Sequence, residues 1–93
     1  MRTIKLATAF RRDYRKFKSV PKYRDIDDSL TAVLEMLAAD KTFPARNRDH
    51  ALSGDWSGFR ECHMRPDLLL IYDKPDADLL RLARLGSHSD LFG

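Results

Sequence analysis

Apolar and polar residues alternate at the start of the chain. From Arg2 to Ala7, Ile4 and Leu6 fall on one side and Thr3 and Lys5 on the other, which predicts a short strand. From Ala9 the period lengthens. Phe10, Tyr14 and Phe17 recur at i, i+4 and i+7, predicting a helix with an aromatic stripe and its basic residues opposite, ended by Pro21. A second helix follows from the stripe Ile26, Leu30, Val33, Leu34 and Leu37, extended by Ala38 and Ala39 and closed by Phe43-Pro44. Asp25 or Asp27 is expected to cap it, because a carboxylate accepts the unpaired backbone N–H groups of a first turn. Two amphipathic helices joined by a short turn form an antiparallel hairpin, and their stripes are expected to be core.

The second half has a different rhythm. Ala45 to Asp55 is polar and turn-rich, as loops that carry functional groups often are. Three strands are predicted after it: Phe59 to Met64, Leu68 to Tyr72 and Leu79 to Leu85. Arg65-Pro66 and Asp73 to Asp76 supply the turns, and a short polar tail opens at Gly86. Leu68 to Tyr72 is an unbroken apolar run and is expected to be the central strand. The order β-α-α-β-β-β predicts one α+β domain over residues 1–93. A helical hairpin covers one face of a mostly antiparallel sheet, leaving the other face for a site.

No apolar run approaches the roughly 20 residues that cross a bilayer. The N-terminal apolar stretch is too short for a secretory signal, so a cytoplasmic protein is expected. One cysteine, Cys62, can form no intramolecular disulfide and is expected to be a small buried strand residue rather than a nucleophile. Residues 1–24 hold nine Lys or Arg against Asp13 alone, a net +8. The whole chain carries +3, which leaves −5 for the rest. A block of one sign attracts polyanions, and Arg11, Arg12, Arg15 and Lys16 are its expected docking residues for RNA. An acidic protein partner would suit it equally.

All three histidines lie in the second half beside carboxylates: His50 after Asp49, His63 near Asp67, and His88 near Asp90. A tight turn at Met64 to Pro66 would bring His63 and Asp67 together, and the four groups are expected to converge at one edge of the sheet. RNA cleavage by 2′-hydroxyl attack needs a base, an acid and positive charge at the phosphate, and histidine serves as either base or acid near neutral pH. Arg84 is a candidate phosphate ligand because a guanidinium matches phosphate oxygens in a fork. Phe92 and Trp56 are candidates to stack on an unpaired base, although a tryptophan leading into a strand also packs readily in a core. A zinc site is the competing reading. No HExxH, HxH or cysteine pair supports it, so neither metal nor cofactor is expected.

The run from His50 through Gly54, Trp56, Gly58, Arg60, His63 and Pro66-Asp67 to Tyr72, with Arg84 to Gly93 (RLGSHSDLFG), resembles the YafQ branch of the RelE/ParE toxin superfamily. These motifs span about half the chain. The resemblance implies a RelE-like fold and metal-free cleavage of messenger RNA in the decoding site of the 70S ribosome. It implies an antitoxin that neutralises the toxin, with operator DNA bound only through their complex. Its catalytic set would fall on His50, His63, Asp67 and His88, with Phe92 accessory. Family members can carry tryptophan after the Pro-Asp pair. Leu68 stands there here, which bears on codon preference. ParE-type relatives share the scaffold but inhibit a topoisomerase by binding, and a plain interaction module within a repressor complex is a third reading.

Overall fold

The structure, a computed structural model, describes all 93 residues. Strand β1 (Thr3–Leu6) leads into helices α1 (Thr8–Lys18) and α2 (Ile26–Ala38). After a loop come β2 (His50–Ala51), β3 (Arg60–Arg65), β4 (Leu68–Asp76), β5 (Leu79–Gly86) and a short helix α3 (His88–Phe92). One sheet results, in the order β1-β5-β4-β3-β2, antiparallel throughout except for the parallel β1–β5 pair. The expected α+β architecture is present. β2 and α3 are additions, in segments expected to be a loop and a tail.

Strand β4 runs past the expected turn to include Pro75, which has no N–H to give a ladder. The β4–β5 register shifts between Asp73 and Asp76, and that irregularity accommodates the proline. The reversal falls at Ala77-Asp78, where the Asp76 carboxylate accepts the Asp78 N–H at 2.8 Å.

The aromatic and leucine stripes do form core. Phe10 and Phe17 of α1 and Ile26, Val33 and Leu37 of α2 cover one sheet face, meeting Cys62, Leu70, Tyr72, Leu80, Leu82 and Leu85. Each fully buried aliphatic chain contributes about 1.5–3 kcal/mol. The other face carries a smaller cluster, Leu69, Ile71, Ala83 and Leu91, with Leu52, Trp56 and Phe59 against it. β4 is therefore enclosed from both sides, which accounts for its unbroken apolar run.

Neither Asp25 nor Asp27 caps α2 through its side chain. Asp25 pairs with Arg65 of β3 at 2.7 Å, and Asp27 takes the Tyr14 hydroxyl and the Lys18 ammonium. These pairings, from Arg65 to Asp25 and from Lys18 to Asp27 first, hold both carboxyls below the usual range. They fasten the helical hairpin to the sheet and to itself.

β1 stops at Leu6, opposite Leu82, so the last residues of β5 pair with β4 but have no strand on their other side. Asp13 of α1 fills that edge. Its buried carboxylate accepts the Leu85 N–H at 3.0 Å and the Arg84 guanidinium at 2.7 and 3.3 Å. β5 then reaches Gly86, where a Cβ would stand 3.0 Å from the Asp90 Cβ and 3.3 Å from Leu91 Cδ2. A bare backbone here lets α3 fold back on the sheet. Ser87 and Asp90 close a reciprocal capping box at its start.

Asp13→Ala strips a buried N–H and a guanidinium of their acceptor and should cost about 2–3 kcal/mol in urea unfolding; no loss would refute the anchoring role. The bonds from the Ser87 backbone and hydroxyl hold the Asp90 carboxyl below its ordinary value. The cap's contribution is therefore complete above the ordinary aspartate pKa of about 3.9 and is lost as pH falls through the lower folded value. The Ser87 amide resonance should titrate with a midpoint below that ordinary value.

Candidate active site

Sheet register assembles the site. His50 of β2 pairs with Glu61 of β3, which pairs with Ile71 of β4, and His63 pairs with Leu69, which pairs with Gly86 of β5. Glu61 and His63 are two residues apart on one strand and share a face. Ile71 and Leu69, their row partners, belong to the smaller cluster, so this is the face away from the helical hairpin. His88 follows two residues after Gly86. All three histidines line one concavity of about 520 Å³, together with Arg48, Leu52, Ser53, Glu61 and Phe92.

Glu61 is the buried charge at its floor, with a side chain only 5% exposed. Its Oε1 lies 3.4 Å from His63 Nε2 and 3.9 Å from His50 Nε2. On the far side of His50, Nδ1–H donates to the Arg48 carbonyl at 2.7 Å. Of the two neutral tautomers, that bond fits the one with its hydrogen on Nδ1, whose Nε2 keeps a lone pair. A proton taken up there sits within Coulombic reach of the Glu61 carboxylate. Asn47 donates to the His63 carbonyl at 2.8 Å and ties the 45–49 loop to β3. At the rim, the Phe92 ring leans on His88 at 5.0 Å between centroids, and both side chains are open to solvent.

The other expected residues lie elsewhere. Asp67 does not line the concavity. The β3–β4 turn carries it toward the helices, where it accepts Lys22 Nζ at 2.7 Å and the Tyr23 hydroxyl at 2.8 Å. Lys22 first, then Tyr23, hold its carboxyl below the usual range. Arg84 is engaged by Asp13 rather than free. Trp56 packs edge-on against Phe59 at 5.3 Å, within the cluster beneath the site. Arg11, Arg12, Arg15 and Lys16 do form an exposed face of α1. Lys16 and Arg84 both help to hold the Asp90 carboxyl low, so this face adjoins α3. Cys62 is fully buried, and burial pushes its thiol far up, away from nucleophilic use.

Glu61 and Arg48 were not foreseen from the sequence. Glu61 stands two residues before His63, the spacing that shares a strand face, and this was the available signal. No three His, Cys, Asp or Glu side chains stand close enough together to hold a metal ion.

A family model described as the bacterial toxin of the type II toxin–antitoxin system, YafQ, matches residues 2–93. The mRNA interferase toxin YafQ of Escherichia coli strain K12 is 39% identical over 82 residues, covering 86% of this chain and 88% of that protein. The crystal structure of an E. coli DinJ–YafQ complex superposes with a TM-score of 0.85 at 32% identity, covering both chains completely. A copper-bound mutant toxin from Helicobacter pylori superposes equally well, at 38% identity over 99% of this chain and all of that one. With a fold in common and a family match along nearly its whole length, the chain belongs to the YafQ family of type II toxins.

Proposed function

We propose that the chain is a toxin that cleaves messenger RNA on the ribosome by acid–base catalysis, in the cytoplasm where ribosomes work. The observation that carries this reading is the meeting of His50, His63 and His88 in one concavity over the buried Glu61 carboxylate. His50 Nε2 takes the proton of a 2′-hydroxyl, whose oxygen attacks the neighbouring phosphorus. The bond from phosphorus to the 5′-oxygen breaks, and His88 in its protonated form donates to that oxygen. The products are a 2′,3′-cyclic phosphate and a free 5′-hydroxyl, and solvent returns both imidazoles to their starting states. Glu61 faces the positive charge that His50 acquires. His63, held by Glu61, and the Arg48 guanidinium supply positive charge beside the phosphate. Phe92 offers a partly exposed ring on which a base can stack.

The exposed cations of α1 suit docking on ribosomal RNA. An antitoxin is the proposed protein partner, as DinJ is for the E. coli relative, with operator DNA reached only through that complex. An apolar groove between β1, α1 and α2, floored by Ile4, Leu6, Leu30 and Leu34 and flanked by Arg11 and Arg15, fits an acidic segment with an apolar face.

His88→Ala and His50→Ala should each lower the single-turnover cleavage rate on translating ribosomes by about 10²–10⁴-fold while leaving the melting temperature unchanged. Asp67→Asn should retain most of its activity, because its partners are Lys22 and Tyr23. Mapped 5′ ends of message provide the readout. Undiminished growth arrest by His88→Ala with intact message would overturn the nuclease reading in favour of inhibition by binding.

A further inference from the structure

The distribution of ion pairs across the surface singles out a second polyanion site. Eight of the seventeen Lys and Arg side chains pair with carboxylates: Arg2, Lys18, Lys22, Arg60, Arg65, Lys74, Arg81 and Arg84. Nine have no such partner, and apart from Lys5 and Arg24 they fall into two groups. One is the α1 face. The other is Lys41, Arg46 and Arg48, in a stretch of eight residues (KTFPARNR) without an acid, although residues 25–93 as a whole are net negative. Cations left without carboxylates on an otherwise well-paired surface are free to meet an external anion.

This stretch borders a concavity of about 430 Å³, lined by Lys41, Thr42, Phe43 and Pro44 and ending at Arg48 and Asp49. Asp49 is its only acid and is already committed, to Arg60 at 3.0 Å and to the Tyr72 hydroxyl. Arg48 lines this concavity and the histidine concavity alike. Its backbone is left-handed, at φ 46° and ψ 43°, an uncommon state for an arginine. Asparagine or glycine would take up that conformation more readily, so what arginine adds here is its guanidinium. The residue that orients His50 through its carbonyl thus presents a cation on the path between the two hollows.

We infer that the Lys41–Arg48 concavity is a phosphate subsite that holds the RNA backbone next to the bond being cut, around the β2 edge from the histidines. The inference rests on the nuclease reading and extends it from the scissile phosphate to its neighbour. A strand gripped on both sides of His50 is positioned by electrostatics alone, without reading a base.

The test uses full-length protein carrying His88→Ala, labelled single-stranded RNA oligonucleotides lengthened one nucleotide at a time, and fluorescence anisotropy. One extension step should raise affinity by about fivefold at 50 mM salt, and that gain should vanish in both Lys41→Gln and Arg48→Asn. Asparagine at position 48 preserves the left-handed backbone and hence the bond to His50. Each variant should also flatten the slope of log affinity against log salt by about 0.7. Lys41 and Arg48 are exposed, so both variants should fold, and their melting temperatures check this. Length and salt dependence identical to the parent would overturn the subsite. So would variants that weaken antitoxin binding but not RNA binding, since the hollow would then belong to a protein partner. Cleavage by the wild-type protein is read separately: its absence sinks the nuclease reading without altering the binding outcome.

Discussion

A pleated strand turns every second side chain to the same face, and the site depends on where that alternation falls in β3. Cys62 points into the core beneath the helical hairpin, so its neighbours Glu61 and His63 must point out of the opposite face. A slip of one residue would bury a carboxylate and an imidazole among leucines and expel Cys62, so the apolar rows under α1 and α2 hold the register. The same rows carry the alignment across the sheet, from His50 through Glu61 to Ile71 and from His63 through Leu69 to Gly86. The hydrophobic core thereby sets the positions of the proposed catalytic groups, which lie on the face away from the helical hairpin.

The second constraint is the ending of β1. Because β1 is four residues long, the far end of β5 lacks a neighbour on that side, and Asp13, the one acid in a strongly basic segment, fills the gap. It satisfies the Leu85 N–H, neutralises Arg84, and fixes the point from which the chain turns into α3 with His88 and Phe92. The α1 cations around it stay unpaired and adjoin that helix. A single buried carboxylate thus links the basic face of α1 to the rim of the histidine concavity.

The two long helices, four of the five strands and the convergence of the three histidines were legible, because periodicity reports which face each long element buries. β2 and α3 were not. Two and five residues are too few to show a period, and both form by pairing or packing against distant segments. Asp67 was misplaced because nearness to His63 along the chain does not say to which side of the sheet a turn swings; Lys22 and Tyr23, more than forty residues earlier, decide it. The engagement of Arg84 does not show in the sequence because its partner Asp13 lies 71 residues away. Trp56 followed the commoner habit of its residue type and packed. Glu61 lies in the same segment as two of the histidines, where nothing in its residue type marks it out. Its importance comes from burial, which composition does not report.

The division of labour between His50 and His88 is tested most directly by an RNA in which sulfur replaces the bridging 5′-oxygen at the cleavage point. A thiolate departs without needing a proton, so a missing general acid no longer matters. His88→Ala should cut this substrate at close to the wild-type rate while remaining about 10²–10⁴-fold slow on ordinary RNA, and His50→Ala should stay slow on both. A His88→Ala protein equally slow on the two substrates, with His50→Ala restored by sulfur instead, would contradict the assignment.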